Sequence, residues 1–394
     1  MRLVVPARSA ISLPSALRSG FHGRLYEGHL NSIFTARSFF QVGTVKPARE
    51  NDYGFNAGFD LSRRTKFFLD AGQQKIRGMV NGNVLVPKPD ERTPLATDPA
   101  TRAIVAKFLA AYPAELPNRT DINARALNTN APQAIDNNQA NLRLDQQLTK
   151  QDQLALQYQF TSQSVDAFQL VAGQNPDTQT KSHLARIAWT RSWDTKTVST
   201  ALLAYERVSS LLEPEKNAVG PTVSIGGAIT GLGPPPPIPI NRALNNFRYA
   251  AALQYTRGNH RWSYGAELFR TQINGSEPDG DRGILTFANF DGRDALTNFR
   301  LGVPLQYTLA VGHTHRGFRN WVVNAYVGDT WRARNNLQVN YGLRYGIVTR
   351  PIEVQKLNEF PFGCDCNNAA PYLGLVYRMS DRLGIVRANY GTHF

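Results

Sequence analysis

Two histidines stand close together in the sequence. His313 and His315 are two residues apart, so they share one face if the segment is extended. Imidazole nitrogens are common ligands of transition metals, and such a pair could contribute to a metal site. No third ligand follows nearby, and residues 308–319 are interpreted as a loop. A metal pair and two unrelated histidines both remain open, and no metal or cofactor is predicted.

The two cysteines of the chain form a single CDC motif at Cys364 and Cys366. One intervening residue would strain a disulfide between them. The spacing also differs from that of a four-ligand zinc site. The sequence therefore predicts two loop thiols without special chemistry.

An acidic loop begins at Asp279 and includes Asp281. A calcium loop of the common twelve-residue kind ends in a glutamate, whereas the twelfth position from Asp279 is Phe290. The chain also contains no GxSxG, HExxH or P-loop motif. We therefore predict that the protein is not an enzyme, and we name no catalytic, cofactor-binding or metal-binding residues.

The composition excludes several classes of protein. The 394 residues include 44 Lys and Arg against 30 Asp and Glu, for a net charge of +14, and 42% of them are hydrophobic. That apolar share is too high for a disordered chain. The basic residues are scattered singly rather than along a helix or arm, so no nucleic-acid partner is predicted. No run of about 18 apolar residues is present, which excludes a transmembrane helix.

Alternation with a period of two is the strongest pattern in the chain. From 337 to 346 every odd residue is apolar and every even residue is polar or glycine, and 154–160 and 247–255 behave similarly. Successive side chains of a strand point to opposite faces, so each segment has one apolar face. The pattern predicts roughly 14 strands, at 22–30, 51–61, 65–77, 140–149, 152–163, 182–193, 196–211, 245–258, 260–274, 283–290, 319–334, 336–350, 370–379 and 383–393.

The connections between these strands are of two kinds. Several are tight and polar, at 149–151, 194–196, 258–259 and 335–336. Others are long and irregular, at 78–139, 212–244, 291–318 and 351–369. Antiparallel strands with short turns at one end and long loops at the other are typical of outer-membrane barrels.

Strand length separates a membrane barrel from a soluble sheet. The segments 319–334 and 336–350 are longer than the roughly 5–6 residues usual in soluble strands, and long enough to cross a bilayer. Aromatic residues near strand ends could form the interfacial girdles of a barrel, or could be ordinary β-formers. The tryptophans concerned are Trp189, Trp193, Trp262, Trp321 and Trp331.

One helix is predicted outside the sheet. Asp98 can cap it, Pro99 suits its first position, and it ends before Pro113. Its apolar stripe is formed by Ile104, Val105, Phe108, Leu109 and Tyr112. We interpret it as loop packing. The four prolines at 234–237 exclude a central strand there.

The polar faces of the strands carry lone carboxylates such as Asp145 and Glu267. In a barrel these side chains would face the lumen, where Arg143 and Arg344 could neutralise them. A charged lumen lining is ordinary in such barrels, so these residues are interpreted as structural before any role in a substrate path.

Several segments resemble Oar-like TonB-dependent transporters. The resemblance covers residues 20–394, and short segments in the same order as in that family carry it. The matching segments are Phe21–Glu27, Ala36–Phe40, Asn51–Asn56, Thr65–Leu69, Asp98–Tyr112, Asn137–Asp145, Asp329–Tyr345, Pro371–Gly374 and Asn389–Gly391. The resemblance implies an outer-membrane barrel of about 22 strands that takes up a substrate with a plug domain and the TonB system.

The chain departs from that family pattern at both ends. No signal peptide, carboxypeptidase-like domain or plug precedes Phe21, and roughly 14 strands are fewer than 22. We expect residues 21–394 to form part of such a barrel and leave 1–20 unassigned. Phe394 could instead be the terminal aromatic residue of a complete barrel.

The predicted fold class is thus all-β: an antiparallel transmembrane β-barrel, an incomplete part of a 22-strand barrel, with long extracellular loops and one short loop helix. The predicted location is the cell outer membrane. The expected partners are outer-membrane lipid, an unknown extracellular substrate, and the TonB system if a plug is supplied elsewhere. A passive or structural outer-membrane barrel and a soluble β-rich binding protein remain as alternatives.

Overall fold

The computed structural model describes residues 9–12, 20–36, 44–380 and 384–392. In chain order the strands are β1 Ser9–Ser12, β2 Phe21–Asn31, β3 Ala48–Ser62, β4 Thr65–Leu85, β5 Ala126–Gln147, β6 Asp152–Asp166, β7 Asp177–Ser192, β8 Thr197–Glu213, β9 Thr222–Ile225, β10 Ile240–Arg257, β11 His260–Ser276, β12 Ile284–Phe287, β13 Gln306–Thr308, β14 His315–Arg334, β15 Leu337–Val348, β16 Ile352–Glu353, β17 Asp365–Ser380 and β18 Gly384–Gly391. The α-helices are α1 Pro99–Ala110 and α2 Ala295–Leu301, and 3-10 turns occupy Ser32–Phe34 and Pro89–Glu91.

One large antiparallel sheet contains most of the strands. It runs from β1 to β18 in chain order, leaves out β9, β12 and β13, and adds β16 beside β14. Strands that are consecutive in this sheet pair antiparallel, and those joined by tight polar turns are the hairpins that the sequence predicts. Among the described residues β1 and β18 do not pair with each other, so the sheet is open there.

The connections within this sheet are short at one end and long at the other. Short turns lie at 63–64, 148–151, 193–196, 258–259 and 335–336. The opposite ends of the strands are joined by 32–47, 86–125, 167–176, 214–239, 277–314 and 349–364. The predicted asymmetry of the loops is therefore present in the fold.

The long loops pack into a body of their own, which we call the loop cap (84–131, 167–176, 214–239 and 277–314). It contains α1, α2 and a small sheet in which β12 pairs with β13 and, in parallel, with β9. The buried apolar cluster of the described residues lies in this cap and includes Val86, Val105, Phe108, Leu127, Ile225, Leu232 and Phe299. The cap thus has the hydrophobic core, while the large sheet is polar on one face and exposed on the other.

Hydrogen bonds tie separate loops of the cap together. The N–H of Leu85 donates to Thr230 Oγ1 and the N–H of Thr230 donates to Leu85 O, both at 2.8 Å. The Tyr112 hydroxyl donates to Thr230 O at 2.5 Å, and burial raises the pKa of this phenol. From α2, Arg300 Nη2 donates to Asp90 O at 3.1 Å. Segments more than 100 residues apart therefore meet at fixed points.

Helix α1 follows the sequence prediction closely. Asp98 caps it by accepting from Thr101 N at 2.8 Å, which lowers the pKa of the Asp98 carboxyl, and Pro99 begins it. Phe108, Leu109 and Tyr112 are buried, as expected from the stripe. Ile104 is 55% exposed, so its assignment to the buried stripe is wrong.

Several predictions about the loops are corrected. Segment 283–290 forms β12 of the small sheet rather than a strand of the large one. A second helix, α2, was not predicted, because its seven residues are too few for a helical stripe to be visible. The segment 78–139 is not irregular throughout, since β4 and β5 extend into it, and His315 begins β14 rather than lying in a loop.

Some predictions concern residues outside the described ranges. The second family-like motif, Ala36–Phe40, lies largely in 37–43, and Phe394 also falls outside. No helix among the described residues is long and apolar enough to cross a membrane.

Candidate functional site

The two faces of the large sheet differ in chemistry. Register places Ala250, Glu267, Asn324 and Gly346 in one row across β10, β11, β14 and β15. Glu267 and Asn324 line a concave cavity, so residues of this parity point inward. Their sequence neighbours point to the opposite face, which we call the outward face.

The concave face encloses a cavity of 1580 Å³ between β7 and β18. Its polar lining includes Arg186, Arg248, Glu267, Asn324, Asn340 and Arg344. A space of this volume exceeds the size of ordinary small-molecule pockets, so it has room for a large solute or for another part of a protein.

The inward charges are only partly neutralised. Arg143 Nε donates to Asp145 Oδ2 at 2.9 Å, as the sequence predicted, and Arg248 donates to Glu267. The sequence analysis named Arg143 and Arg344 as the neutralising groups. Arg344 lies on β15, two strands from Glu267, whereas Arg248, which was not named for this role, lies on the adjacent strand β10. Within the described chain neither Arg186 nor Arg344 has an ion-pair partner. The cavity lining holds three arginines against two carboxylates, Glu267 and Asp365, so it carries a small excess of positive charge.

A second inward cavity of 500 Å³ lies against β2 to β7 and is lined by amide and hydroxyl side chains. Its wall is a chain of hydrogen bonds across four strands. Gln74 Nε2 donates to Glu50 Oε1 at 2.7 Å, Asn137 Nδ2 to Gln74 Oε1 at 2.8 Å, and Gln163 Nε2 to Asn137 Oδ1 at 2.9 Å. This surface is hydrophilic and mostly uncharged, and its carboxylates are Glu50 in the hydrogen-bond chain and Asp52 in the cavity lining.

The outward face is apolar and uncovered. Large side chains on it are exposed by 37% to 51% and include Ile187, Leu203, Tyr249, Leu253, Tyr264, Leu268, Val327 and Leu343. In a soluble sheet such a face would be buried against another layer. The arrangement of polar residues inside and apolar residues outside is that of a barrel in lipid.

Aromatic side chains border this apolar face on β14. Trp331 lies near the short turns and Trp321 near the long loops, ten residues apart on the outward side. That separation is about 33 Å along the strand, or about 25 Å along the normal for a usual barrel tilt, which matches the apolar band of such proteins.

A polar group stabilises the aromatic cluster near the short turns. Asp329 is 2% exposed and accepts from Tyr341 Oη at 3.0 Å, and His260 Nδ1 is 2.5 Å from the same carboxylate oxygen. The His260 ring stacks on both Trp262 and Trp331. Three of the aromatic rings at this end, those of His260, Trp262 and Trp331, therefore form a packed cluster.

Comparison with known proteins agrees with this geometry. A sequence model described as "Outer membrane beta barrel domain" matches residues 17–363. The chain belongs to this outer-membrane β-barrel family. The protein is located in the outer membrane, as predicted. No curated protein matches the sequence significantly.

Solved structures with a similar fold are outer-membrane receptors and transporters. The chain is 12% identical to a mutant of the ferric enterobactin receptor PfeA from Pseudomonas aeruginosa, with a TM-score of 0.50. The alignment covers 92% of this chain and 42% of the receptor chain. The siderophore receptor PirA from Acinetobacter baumannii gives 13% identity, a TM-score of 0.49 and coverages of 93% and 42%. The outer membrane transporter YddB from Escherichia coli is 14% identical, with a TM-score of 0.49, and the alignment covers 88% of this chain and 38% of YddB. The chain thus spans about two fifths of the length of these structures.

Membership of this family orients the sheet. In outer-membrane barrels the short turns face the periplasm and the long loops face the exterior. By this rule we expect the loop cap to be extracellular and the band between Trp321 and Trp331 to lie in the membrane.

The residues first considered for chemistry do not form a site. Among the described residues no three His, Cys, Asp or Glu side chains are grouped closely enough to hold a metal ion. Cys364 and Cys366 are joined as a disulfide, so the prediction of two free loop thiols is wrong. Their Cα atoms are 5.5 Å apart where β17 begins, which lies within the usual disulfide range.

Inward glycines make room for inward tyrosines. A Cβ at Gly342 would lie 2.4 Å from Val327 O and 2.6 Å from the Tyr372 ring. At Gly265 a Cβ would meet the Tyr326 ring at 2.2 Å. The tyrosines lie flat across the neighbouring strands, and a methyl group there would overlap them.

We expect Gly342→Ala to lower the stability of the folded barrel by about 1–3 kcal/mol, because the new methyl group overpacks against backbone as well as a ring. The temperature at which the compact form unfolds on a gel should fall. Gly346→Ala is the matched control on the same strand and face, since its nearest contact is the movable Asn324 side chain at 3.3 Å. Equal effects of both changes would contradict this explanation.

An ion pair braces the extracellular cap. Arg125 Nη2 donates to Glu91 Oε1 at 2.6 Å, and Lys88 N donates to Glu91 Oε2 at 2.9 Å. Burial raises the pKa of Glu91, but the hydrogen bonds from Arg125 and Lys88 outweigh it, and the pKa lies below its ordinary value. The pair therefore stabilises the cap at neutral pH, and that contribution disappears as the pH falls through the folded-state pKa of Glu91.

We expect Arg125→Gln to destabilise the cap by about 1–2 kcal/mol at neutral pH, because it leaves a carboxylate that is mostly buried without its partner. The difference from the wild type should shrink at acidic pH, where Glu91 is protonated. Protease resistance of the cap in isolated outer membranes, followed against pH, measures both effects. Arg119→Gln is the control, because Arg119 pairs with the exposed Asp121 and should change neither value.

Proposed function

We propose that the protein is the lumen-forming part of an outer-membrane TonB-dependent transporter of the Oar-like kind, and that it is not an enzyme. In this proposal residues 21–394 provide part of a larger barrel of about 22 strands. Residues 1–20 are given no domain of their own, although β1 within them pairs with β2. The transported substrate comes from outside the cell, and its identity is open.

The open, concave polar face is the observation that carries this proposal. A sheet in hydrocarbon must pair the backbone groups at its edges, and β1 and β18 do not pair with each other among the described residues. Further strands would complete the barrel, which fits a chain that spans 42% of the ferric enterobactin receptor structure. The 1580 Å³ cavity then becomes one side of a wide lumen.

The charge in that cavity supports a lumen that is occupied rather than empty. Arg186 and Arg344 point into it without an ion-pair partner in the described residues, while Arg248 is already paired with Glu267. Unpaired guanidinium groups in a confined polar space favour an acidic occupant. A plug domain supplied from elsewhere, or a negatively charged solute, would meet this requirement.

An immunoblot of fractionated native cells, with boiled and unboiled lanes, tests the proposal. We expect an outer-membrane band well above the 43.8 kDa of this chain, which migrates faster when unboiled because the barrel remains folded. Crosslinking in the same cells should join this band to TonB.

Two results would contradict the proposal. A heat-modifiable band at the size of this chain, without a crosslink to TonB, would show a small barrel that closes by itself and acts as a passive pore. A band of this size in the soluble fraction would contradict both the transport function and the formation of a passive pore.

A further inference from the structure

Basic side chains end the apolar rows on the outward face. On β4, β7, β8, β11 and β14 the outward side chains between the short turns and the long loops are mostly apolar. Each of these strands then carries a lysine or arginine on the outward face near the long loops. These residues are Lys75, Lys181, Arg207, Arg270 and Arg319. Since the apolar band lies in the membrane, they stand at the height of the headgroups of the outer leaflet.

Three of these residues form a compact group, which we call the arginine cluster: Arg207, Arg270 and Arg319. Register pairs Arg207 with Asn245, Asn245 with Gln272, and Gln272 with Arg319, so a single row crosses four strands. Neighbouring strands are about 4.8 Å apart, which places the two outer arginines about 14 Å from each other. Arg270 lies between them, two residues from Gln272 on β11.

The contacts of the cluster position the guanidinium groups without neutralising them. Arg207 Nη1 donates to Asn245 Oδ1 at 2.9 Å, and Arg319 Nη2 donates to Asn274 Oδ1 at 2.6 Å. The Arg270 guanidinium lies 4.9 Å from the centre of the Trp321 ring, and its Nε has no hydrogen-bond partner among the described residues. All the acceptors named are neutral amides, so the positive charge is available to a ligand.

The nearest carboxylates on these outward rows are farther along the strands. Asp177 and Glu213 are paired in register at the ends of β7 and β8, and Asp177 accepts from Ala167 N at 2.9 Å. Glu213 lies six residues beyond Arg207, about 20 Å along β8. Neither is placed to form an ion pair with the cluster.

We propose that the arginine cluster binds the phosphate groups of lipopolysaccharide in the outer leaflet. The cluster faces lipid, stands directly above the apolar band, and presents guanidinium groups, which bind phosphate through paired hydrogen bonds. Trp321 lies just below it, at the boundary between acyl chains and headgroups. This inference rests on the outer-membrane location and is independent of the transport proposal.

The affinity for lipopolysaccharide of the whole protein, extracted in detergent from the outer membranes of its native cells, tests the inference. A basic residue near an anionic surface is worth about 1 kcal/mol, so each arginine lost should weaken binding about fivefold, and Arg207→Gln with Arg319→Gln about 25-fold. Replacing both by lysine should keep most of the affinity. Replacing Arg186 and Arg344 by glutamine removes the same charge from the inward face and should leave the affinity unchanged.

Binding of three lipids, namely intact lipopolysaccharide, dephosphorylated lipopolysaccharide and phosphatidylglycerol, shows which phosphate group the cluster recognises. Dephosphorylated lipopolysaccharide should bind as weakly to the wild type as the intact glycolipid binds to the outward double variant. Phosphatidylglycerol binding as tightly as lipopolysaccharide would overturn the assignment to the glycolipid. Unchanged affinity in the outward double variant, or an equal loss in the inward one, would overturn the site. The compact gel form of each variant confirms that the barrel is folded.

Discussion

Arginine at position 251 should destabilise the barrel, whereas arginine at the preceding position should not. Ala251 points outward near the middle of the apolar band, seven residues from the short turn at 258–259. A charged side chain on the lipid face near the midplane costs about 2–4 kcal/mol. Ala250 points into the aqueous cavity, in register with Glu267, so a new guanidinium there stays solvated beside a carboxylate.

The two variants make a matched pair, because they place the same residue on the same strand at the same height. We expect Ala251→Arg to reduce the yield of folded protein in the outer membrane and to lower the temperature at which the compact gel form unfolds. Ala250→Arg should stay close to the wild type in both. If the two changes had equal effects, or if Ala250→Arg had the larger effect, the assignment of the faces would be wrong.

The sequence predicts this part of the fold well because one periodicity determines it. In β15 the odd residues from Leu337 to Ile347 are apolar, and strict alternation assigns every side chain to a face before any contact is known. Strand length and the contrast between short and long connections then favour a membrane barrel. The family motifs agree with the same strands.

The loop cap could not be predicted in the same way. Its core is assembled from segments that each contribute a few apolar residues, such as Val84 and Val86, Val223 and Ile225, or Leu296 and Phe299. These runs are too short to show a period. Which of these segments contact each other depends on how the barrel brings the loops together at one end, and no pattern in the sequence predicts those contacts.

Partners across the sheet show the same limit at the level of single side chains. Alternation places Glu267 and the inward arginines on one face, but their pairing depends on the register and order of the strands. The tight turn at 258–259 predicts that β10 lies beside β11, but the contact of Arg248 with Glu267 also depends on the register, which sets Glu267 opposite Ala250. The arginine cluster is similar, because its members are far apart in sequence and meet through three register pairs.

Removing one aromatic ring from the cap should unfold the cap and leave the barrel intact. Phe299 of α2 is fully buried; its ring centroid lies 5.2 Å from that of Phe287 in β12 and 6.3 Å from that of Phe108 in α1. The ring thus joins three elements of the cap. Truncation of a buried Phe to Ala costs about 3–5 kcal/mol through lost burial and the cavity left behind.

We expect Phe299→Ala cells to display a cap that an added protease cleaves, while the membrane-embedded strands stay protected and the compact gel form persists. The reason is that the cap core lies outside the apolar band, whereas the barrel is held by strand pairing and lipid. Leu305→Ala, at a position 53% exposed, is the control and should leave the cap resistant. Loss of the compact form together with the cap would show instead that the two bodies depend on each other for stability.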